Sequence, residues 1–403
     1  MYFFIFRGAS IQSILLIYTF ICIFSLILQN QNQCPSFQNN SLFINKKNHI
    51  NISSFPIDIV YTWVDGRDQK WLNEYSKAKE KCKISFSKKD FMNRYVDIEE
   101  MRYSLRSVEK NAPWINNIFI VTWDQKPNWI NSYHPKIKFI SHSQIFPSNV
   151  TLPTFNSNSI DFLLYRIPGL SEHFIYVNDD MYFGRPVSSS DFFTPDGKSK
   201  VISKSTYWSR VESYNYELKN REKFVKNGDY QFNAIVTNTI LEFKKKYHHI
   251  FPFSYSHIPF SLTKKICEEA YINFKEKIEL TLHKPFRTTD DLQMQTLMLQ
   301  YGLYTNQSIA IDKNYNDIVF IAMKTDKSNM IHLTNILKNK PKLLSINIDE
   351  YINRDAVKGF LNFMFRDFSC FELPDKPPIV KEEQQKFWAK KYDRVLKQKA
   401  LRC

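Results

Sequence analysis

Glycine is scarce in this chain, with 8 in 403 residues, roughly a quarter of average usage. The nearest two are Gly184 and Gly197, so neither a G-x-G-x-x-G nor a G-x-x-x-x-G-K-S/T motif exists. The backbone cradles that those motifs build for dinucleotides and NTP phosphates are excluded. Cysteine is sparse and dispersed: beyond Cys22 there are Cys34, Cys82, Cys267, Cys370 and Cys403, too far apart for a CxxC zinc pattern. There is no G-x-S-x-G, no H-E-x-x-H and no Cys/His pair in a nucleophile setting, which leaves covalent acyl chemistry and zinc hydrolysis without support. Acid is the minority charge, 40 Asp plus Glu against 55 Lys plus Arg, for a formal net charge of +15. The basic residues are scattered and no reader motif accompanies them, so nucleic acid is not an expected partner.

Only one apolar run is long, residues 9–28, ASIQSILLIYTFICIFSLIL. About 20 uncharged residues suffice to span a bilayer as a helix. The run exceeds a signal-peptide core and is followed by QNQNQ rather than a small-residue cleavage site. It is read as an uncleaved anchor behind a cytosolic tail, 1–8, with the bulk of the chain lumenal. Sequons begin at Asn39, Asn51, Asn149 and Asn306. In an oxidising lumen two disulfides and one odd thiol are plausible. Residues 29–55, rich in Asn, Gln and Ser, form a polar stem, and a domain over 56–375 precedes a basic amphipathic tail at 376–403.

At residue 57 the pattern changes to IDIVYTWVDG, an apolar run closed by Asp65-Gly66, which reads as a buried strand ending in a turn. Residues 67–112 look helical, with Met101, Leu105 and Val108 on one face and Asn111-Ala112-Pro113 as a stop. Strands follow at 117–122 (NIFIVT), 136–140 (KIKFI) and 173–177 (HFIYV), with a helix expected over 160–170. This order predicts an α/β fold with a mostly parallel sheet. Helical spacing also marks 230–247, 260–279 and 289–301, giving a helical C-terminal half.

Acids cluster at the strand ends: Asp65 and Asp68 after the first, Asp124 after the second, and Asn178-Asp179-Asp180 after the fourth. Ligands of open α/β sheets sit beyond those carboxyl ends. Adjacent carboxylates suit a divalent cation shared with substrate phosphates, because Mg2+ takes one or two carboxylates and completes its shell with phosphate oxygens. Taken alone, such a pair also serves as a simple cap for the next segment. Further on, His257 stands in SHIPF and Arg287 in HKPFRTTDD, each just before a helix. Histidine is the usual base near neutral pH and arginine a natural clamp for phosphate oxygens.

These segments together resemble the Stealth family. IDIVYTWVDGRD (57–68) looks like its first conserved block. RYVDIEEMRYSLRSVEKNAPWINNIFIVTWDQKPNWI (94–130), LPTFNSNSIDFLLYRIPGLSEHFIYVNDDMYFG (152–184) and DFF (191–193) look like the second, and SHIPF (256–260) with FRTTDD (286–291) like the third. The fourth block is degraded: a Cys-Leu-Asn-Asp pattern stands here as Ser345-Ile346-Asn347-Ile348, with Asp349 one position late.

The resemblance implies a Rossmann-like core similar to nucleotide-sugar transferases, and transfer of a sugar-1-phosphate from a UDP-sugar, with N-acetylglucosamine as the expected sugar, to a glycan hydroxyl. It places catalytic roles on His257, Arg287 and Asp180. Substrate binding falls on Asp65, Asp68, Asp161 (usually Glu), Arg166 and Asn178, and Mg2+ or Mn2+ on Asp179, Asp180 and Asp291. With the anchor, it implies a Golgi or other secretory-pathway membrane. Two readings compete: a glycosyltransferase that releases nucleoside diphosphate, and a non-catalytic glycan-binding homologue.

Overall fold

The computed structural model of the chain describes residues 54–83, 91, 94–95, 97–203, 215–216, 219–220, 231–252, 256–312, 317–323, 326–348 and 353–400. The expected anchor at 9–28, most of the stem, the sequons at Asn39 and Asn51, Cys34, Cys403 and Asp349 lie outside these residues. Among the described residues no helix is long and apolar enough to cross a membrane.

The elements belong to the unit 51–403. In chain order they begin with β1 (Ile57–Thr62), α1 (Gln69–Lys81), α2 (Glu100–Asn111), β2 (Ile118–Thr122), β3 (Ile137–Ser141), α3 (His142–Ile145) and α4 (Ser157–Asp161). Then come β4 (His173–Asn178), β5 (Met181–Phe183), β6 (Ser199–Ser203), α5 (Gln231–Tyr247), β7 (Phe260–Thr263), α6 (Lys264–Asn273), α7 (Lys275–Leu282) and α8 (Met294–Tyr304). The last are β8 (Ser308–Asp312), β9 (Ile318–Ala322), α9 (Asp326–Asn339), β10 (Leu343–Asn347), α10 (Arg354–Met364) and α11 (Glu382–Ala400).

The main sheet runs β3-β2-β1-β4-β7. Its first four strands are parallel and β7 is an antiparallel edge. The expected α/β class with a mostly parallel sheet is therefore present. The strands β1 and β2 read as unbroken apolar runs because both faces are covered. Successive side chains alternate sides: Ile59 and Tyr61 share a core with Met101 and Leu105 of α2, whereas Val60, beside Phe174 and Tyr176 of the neighbouring β4, shares the core on the other face with Leu297 of α8. Two smaller sheets, β5-β10-β9 and β6-β8, extend the unit.

Three expected helices come out differently. The span 160–170 holds only the end of α4 and a 3-10 turn, Leu164–Arg166, because Pro168 and Gly169, the latter at φ 77°, stop propagation there. The span 260–279 opens as β7, whose short apolar run FSLT suits strand or helix equally by pattern. The long helical span 67–112 contains two separate helices, α1 and α2. Cys82 and Cys267 stand as free thiols, and Cys34 and Cys403 lie outside the described residues.

Gly66 makes the turn after β1 possible. Its N–H donates to the carbonyl of Tyr95 at 2.7 Å, and a Cβ there would stand 2.4 Å from that same oxygen. Gly66→Ala is expected to destabilise the protein by about 1–3 kcal/mol, as overpacking does, measured as a lowered urea midpoint.

Residues 365–376 form a strap over α2. The Asn131 N–H donates to the carbonyl of Phe371, and the Leu373 N–H to that of Trp129, each at 2.8 Å. Glu372 grips Arg106 of α2 through both carboxylate oxygens, at 2.6 and 2.8 Å. Beyond the strap, α11 lays the fully buried Trp388 against Phe360 of α10, with ring centroids 5.0 Å apart.

Candidate active site

A cavity of about 710 Å3 opens at the carboxyl ends of β1, β2 and β4, where an open α/β sheet has room for a ligand. The register that pairs Thr62 with Asn178 brings the ends of β1 and β4 level. Of the residues singled out from sequence, Asp161, Asn178, Asp179, Asp180, His257 and Arg287 line this one space. They arrive from positions spread over more than a hundred residues, so the fold and not local sequence assembles them.

His257 Nε2 lies 3.0 and 3.1 Å from the two carboxylate oxygens of Asp180. Burial alone would push the imidazole pKa down, but the charge and hydrogen bond of Asp180 and the nearby Asp161 outweigh it and the net direction is up. Asp161, 6% exposed, accepts from the hydroxyl of Tyr176 at 2.9 Å and from Gln295 Nε2 at 3.2 Å. Burial raises its pKa to about 6 against the lowering pull of those bonds, Arg287 and His257. Arg287 donates to the Ser157 hydroxyl at the start of α4. Burial and the neighbouring Arg94 both lower its pKa. The cavity wall therefore combines these carboxylates with the guanidinium groups of Arg94, Arg287 and Arg354, of which Arg94 and Arg287 are neighbours.

Two acids of the site were not foreseen. Asp97 and Glu100 also line the cavity. Burial and then the negative charges of Asp97 and Asp179 hold Glu100 well above the usual carboxylate range. Asp179 is likewise pushed well up by burial, then by Asp180 and Asp97. The turn that aims these acids inward passes through Glu99 in the left-handed region at φ 71°, a conformation that side chains other than Gly rarely take. In sequence the pair reads as ordinary acids at a helix start, and a left-handed glutamate has no pattern to announce it.

Crowded, desolvated carboxylates are a donor set that a hard divalent ion relieves. Among the described residues, however, no three His, Cys, Asp or Glu side chains are grouped to hold a metal as they stand. Asp179 and Asp180 fit the two-carboxylate arrangement that relies on substrate oxygens to finish the shell; Asp291 does not. Asp291 is fully buried outside the cavity wall, where it binds Asn156 Nδ2 at 2.7 Å, the Thr288 hydroxyl at 2.9 Å, the Thr288 N–H at 3.0 Å and Lys284 Nζ at 3.2 Å. It braces the loop that carries Arg287.

Other expected residues are also placed elsewhere. Asp68 caps α1 by accepting from the Trp71 N–H at 2.7 Å. Asp65 pairs with Arg67 at 3.1 Å, and neither acid lines the cavity. Asp124 and Arg166 are exposed and outside it. Ile348, where the degraded fourth block lacks its acid, does line the cavity and presents no ligand atom there.

The chain matches three conserved regions of the Stealth proteins: region 1 over residues 55–81, region 2 over 94–201 and region 3 over 256–304. It is 31% identical to the exopolysaccharide phosphotransferase cps2G of Lactiplantibacillus plantarum, covering 65% of this chain and 81% of that protein. It is 30% identical to the capsular polysaccharide phosphotransferase SacB of Neisseria meningitidis serogroup A, over 84% of this chain and 62% of the other. With the exopolysaccharide phosphotransferase SCO6023 of Streptomyces coelicolor the identity is 33%, over 64% of this chain but only 42% of the relative. The chain thus spans less than half the length of several of the proteins it matches. Among solved structures, the galactosyltransferase LgtC in complex with donor and acceptor sugar analogues aligns over 83% of this chain and 99% of its own, at 12% identity and a TM-score of 0.39. That overlap is too slight to carry any statement about the site.

Proposed function

Because the chain belongs to the Stealth family, we propose that it is a sugar-1-phosphate transferase acting on a glycan hydroxyl. The donor we assign is a UDP-sugar, with N-acetylglucosamine as the sugar. The observation that carries this reading is the mixed lining of one cavity. A hydrogen-bonded His257–Asp180 pair, further carboxylates and a desolvated Arg287 share its wall.

Displacement at phosphorus requires positioning, charge neutralisation and a proton acceptor, not a covalent nucleophile. In the proposed reaction the acceptor oxygen bonds to the phosphorus nearest the sugar, the P–O bond to the nucleoside monophosphate breaks, and the hydroxyl proton passes to the His257–Asp180 pair. Arg287 orients the diphosphate oxygens, and Asp161 orients Arg287 and the donor. Asp179 and Asp180 would hold Mg2+ or Mn2+, which supplies neutralisation of phosphate charge when bound. The catalytic domain is assigned to 56–375, held at a secretory-pathway membrane, the Golgi among them, by 9–28.

The test is product identity. Incubated with UDP-N-acetylglucosamine, simple hexosides and Mg2+, the full chain is expected to release UMP and form a phosphodiester-linked product by mass spectrometry, and EDTA should suppress both. Release of UDP instead would identify a glycosyltransferase and overturn the proposal. GDP- and CDP-sugars run in parallel establish the nucleobase.

A further inference from the structure

Most aromatic side chains around the cavity are committed to the core. Trp63, Trp71, Phe155 and Tyr176 are all buried, and Trp71 packs edge to face on Phe155 at 5.2 Å. Two phenyl rings are not so committed. Phe320 on β9 is 38% exposed and Phe232 at the start of α5 is 51% exposed, yet both line the cavity.

The position of Phe320 follows from its strand. β9 is an edge strand, and by the two-residue alternation Phe320 shares a side with Ile318, which is 1% exposed. The strand therefore runs off its own core and delivers the Phe320 ring to the cavity. There it stands edge to face with His257, ring centroids 5.4 Å apart. Exposed apolar surface bordering a polar site is a mark of ligand contact.

We propose that Phe320 and Phe232 form the acceptor subsite and take the apolar C–H face of a pyranose ring. The inference rests on the transferase reading above and adds where the acceptor sits. Phenyl rings offer nothing to a diphosphate, whose oxygens are served by the guanidinium groups in the cavity wall. A sugar ring laid on Phe320 is brought beside His257, with Phe232 as a second exposed ring in the same cavity. Aromatic packing of this kind is sequence-tolerant towards the sugar, so the subsite selects for a pyranose face and leaves the linkage to other residues.

Saturation-transfer NMR on the full chain tests this with maltotriose, lactose and methyl α-mannopyranoside as probes. Transfer to ring C–H protons of at least one probe is expected. Phe320→Ala and Phe232→Ala should each weaken that binding by about twofold to twelvefold, the range that a lost aromatic contact of about 0.5–1.5 kcal/mol implies. Phe320→Trp should restore it, and binding of UDP-N-acetylglucosamine should be retained in all three variants. No transfer to any probe, unchanged glycan binding in both alanine variants, or an equal loss of UDP-N-acetylglucosamine binding would each overturn the subsite. Failure of the transferase reading has a separate signature: UDP among the products with glycan binding intact.

Discussion

Asp161→Asn should yield a protein that is more stable at pH 7.5 and close to inactive. The native carboxylate sits at 6% exposure with a pKa raised to about 6 by burial. An unfolded chain releases that proton near pH 4, so the folded state binds it more tightly between about pH 4 and 6. Stability contributed by the protonated form is thus present at low pH and lost as pH rises through that window. Two units at about 1.4 kcal/mol each make roughly 3 kcal/mol, which the folded protein forgoes at neutral pH. An amide does not ionise. It still accepts from Tyr176, and the Gln295 Oε1, which has no hydrogen-bond partner, can turn to accept from it.

A gain of about 1–3 kcal/mol at pH 7.5, vanishing below about pH 4, is therefore expected in thermal unfolding followed across pH. Activity should fall by about 100-fold to 1,000-fold, as for loss of one preorganised electrostatic group. Equal stability of variant and parent at pH 7.5 would show that the carboxylate carries no strain. Sites that store such unfavourable charge for function commonly show this trade.

Glu372→Ala should be the most destabilising change in the strap, by about 3–5 kcal/mol, because it strands buried cations. Glu372, at 4% exposure, holds Arg106 at 2.6 Å, receives the Ser369 N–H at 3.1 Å and lies 3.6 Å from Arg102 Nε. Arg102 is itself buried, with its pKa lowered by burial, and it stacks over Trp129 at 4.7 Å. Removing the shared anion leaves Arg106 with aromatic faces and a strap carbonyl, and Arg102 with Glu99 at 3.8 Å, the Trp129 face and a strap carbonyl. The pair Arg106→Met with Glu372→Leu should recover part of the loss, since it removes the more closely paired of the two cations while Arg102 keeps Glu99. Urea midpoints compare the three proteins. A loss below about 1 kcal/mol for Glu372→Ala would mean that water reaches the guanidinium groups, as at a surface pair.

The strands were legible because burial on both faces writes them as continuous apolar runs: β1, β2 and β4 each begin within a residue of their expected starts. Helix limits were less so, as at 160–170, where a proline-glycine stop took effect earlier than the apolar spacing indicated. Asp180, His257 and Arg287, singled out through the blocks that contain them, meet at the cavity. Asp65, Asp68 and Asp291 do not line it, for one shared reason. A carboxylate at a strand end or helix start satisfies backbone N–H groups as readily as it faces a ligand, and sequence does not record which way it turns. Asp97 and Glu100 were missed in the opposite direction, as plain helix-start acids that the left-handed Glu99 redirects.

The strap has a consequence for the order in which the molecule is made. Ile130 pairs with Glu372, and Arg106 waits for the same residue. During synthesis the parallel strands and α2 emerge long before their clamp does, with two buried arginines still exposed to water. Loop closure over that separation is slow relative to local helix formation. Until residues 369–372 are in place, α2 lacks the carboxylate that neutralises Arg106.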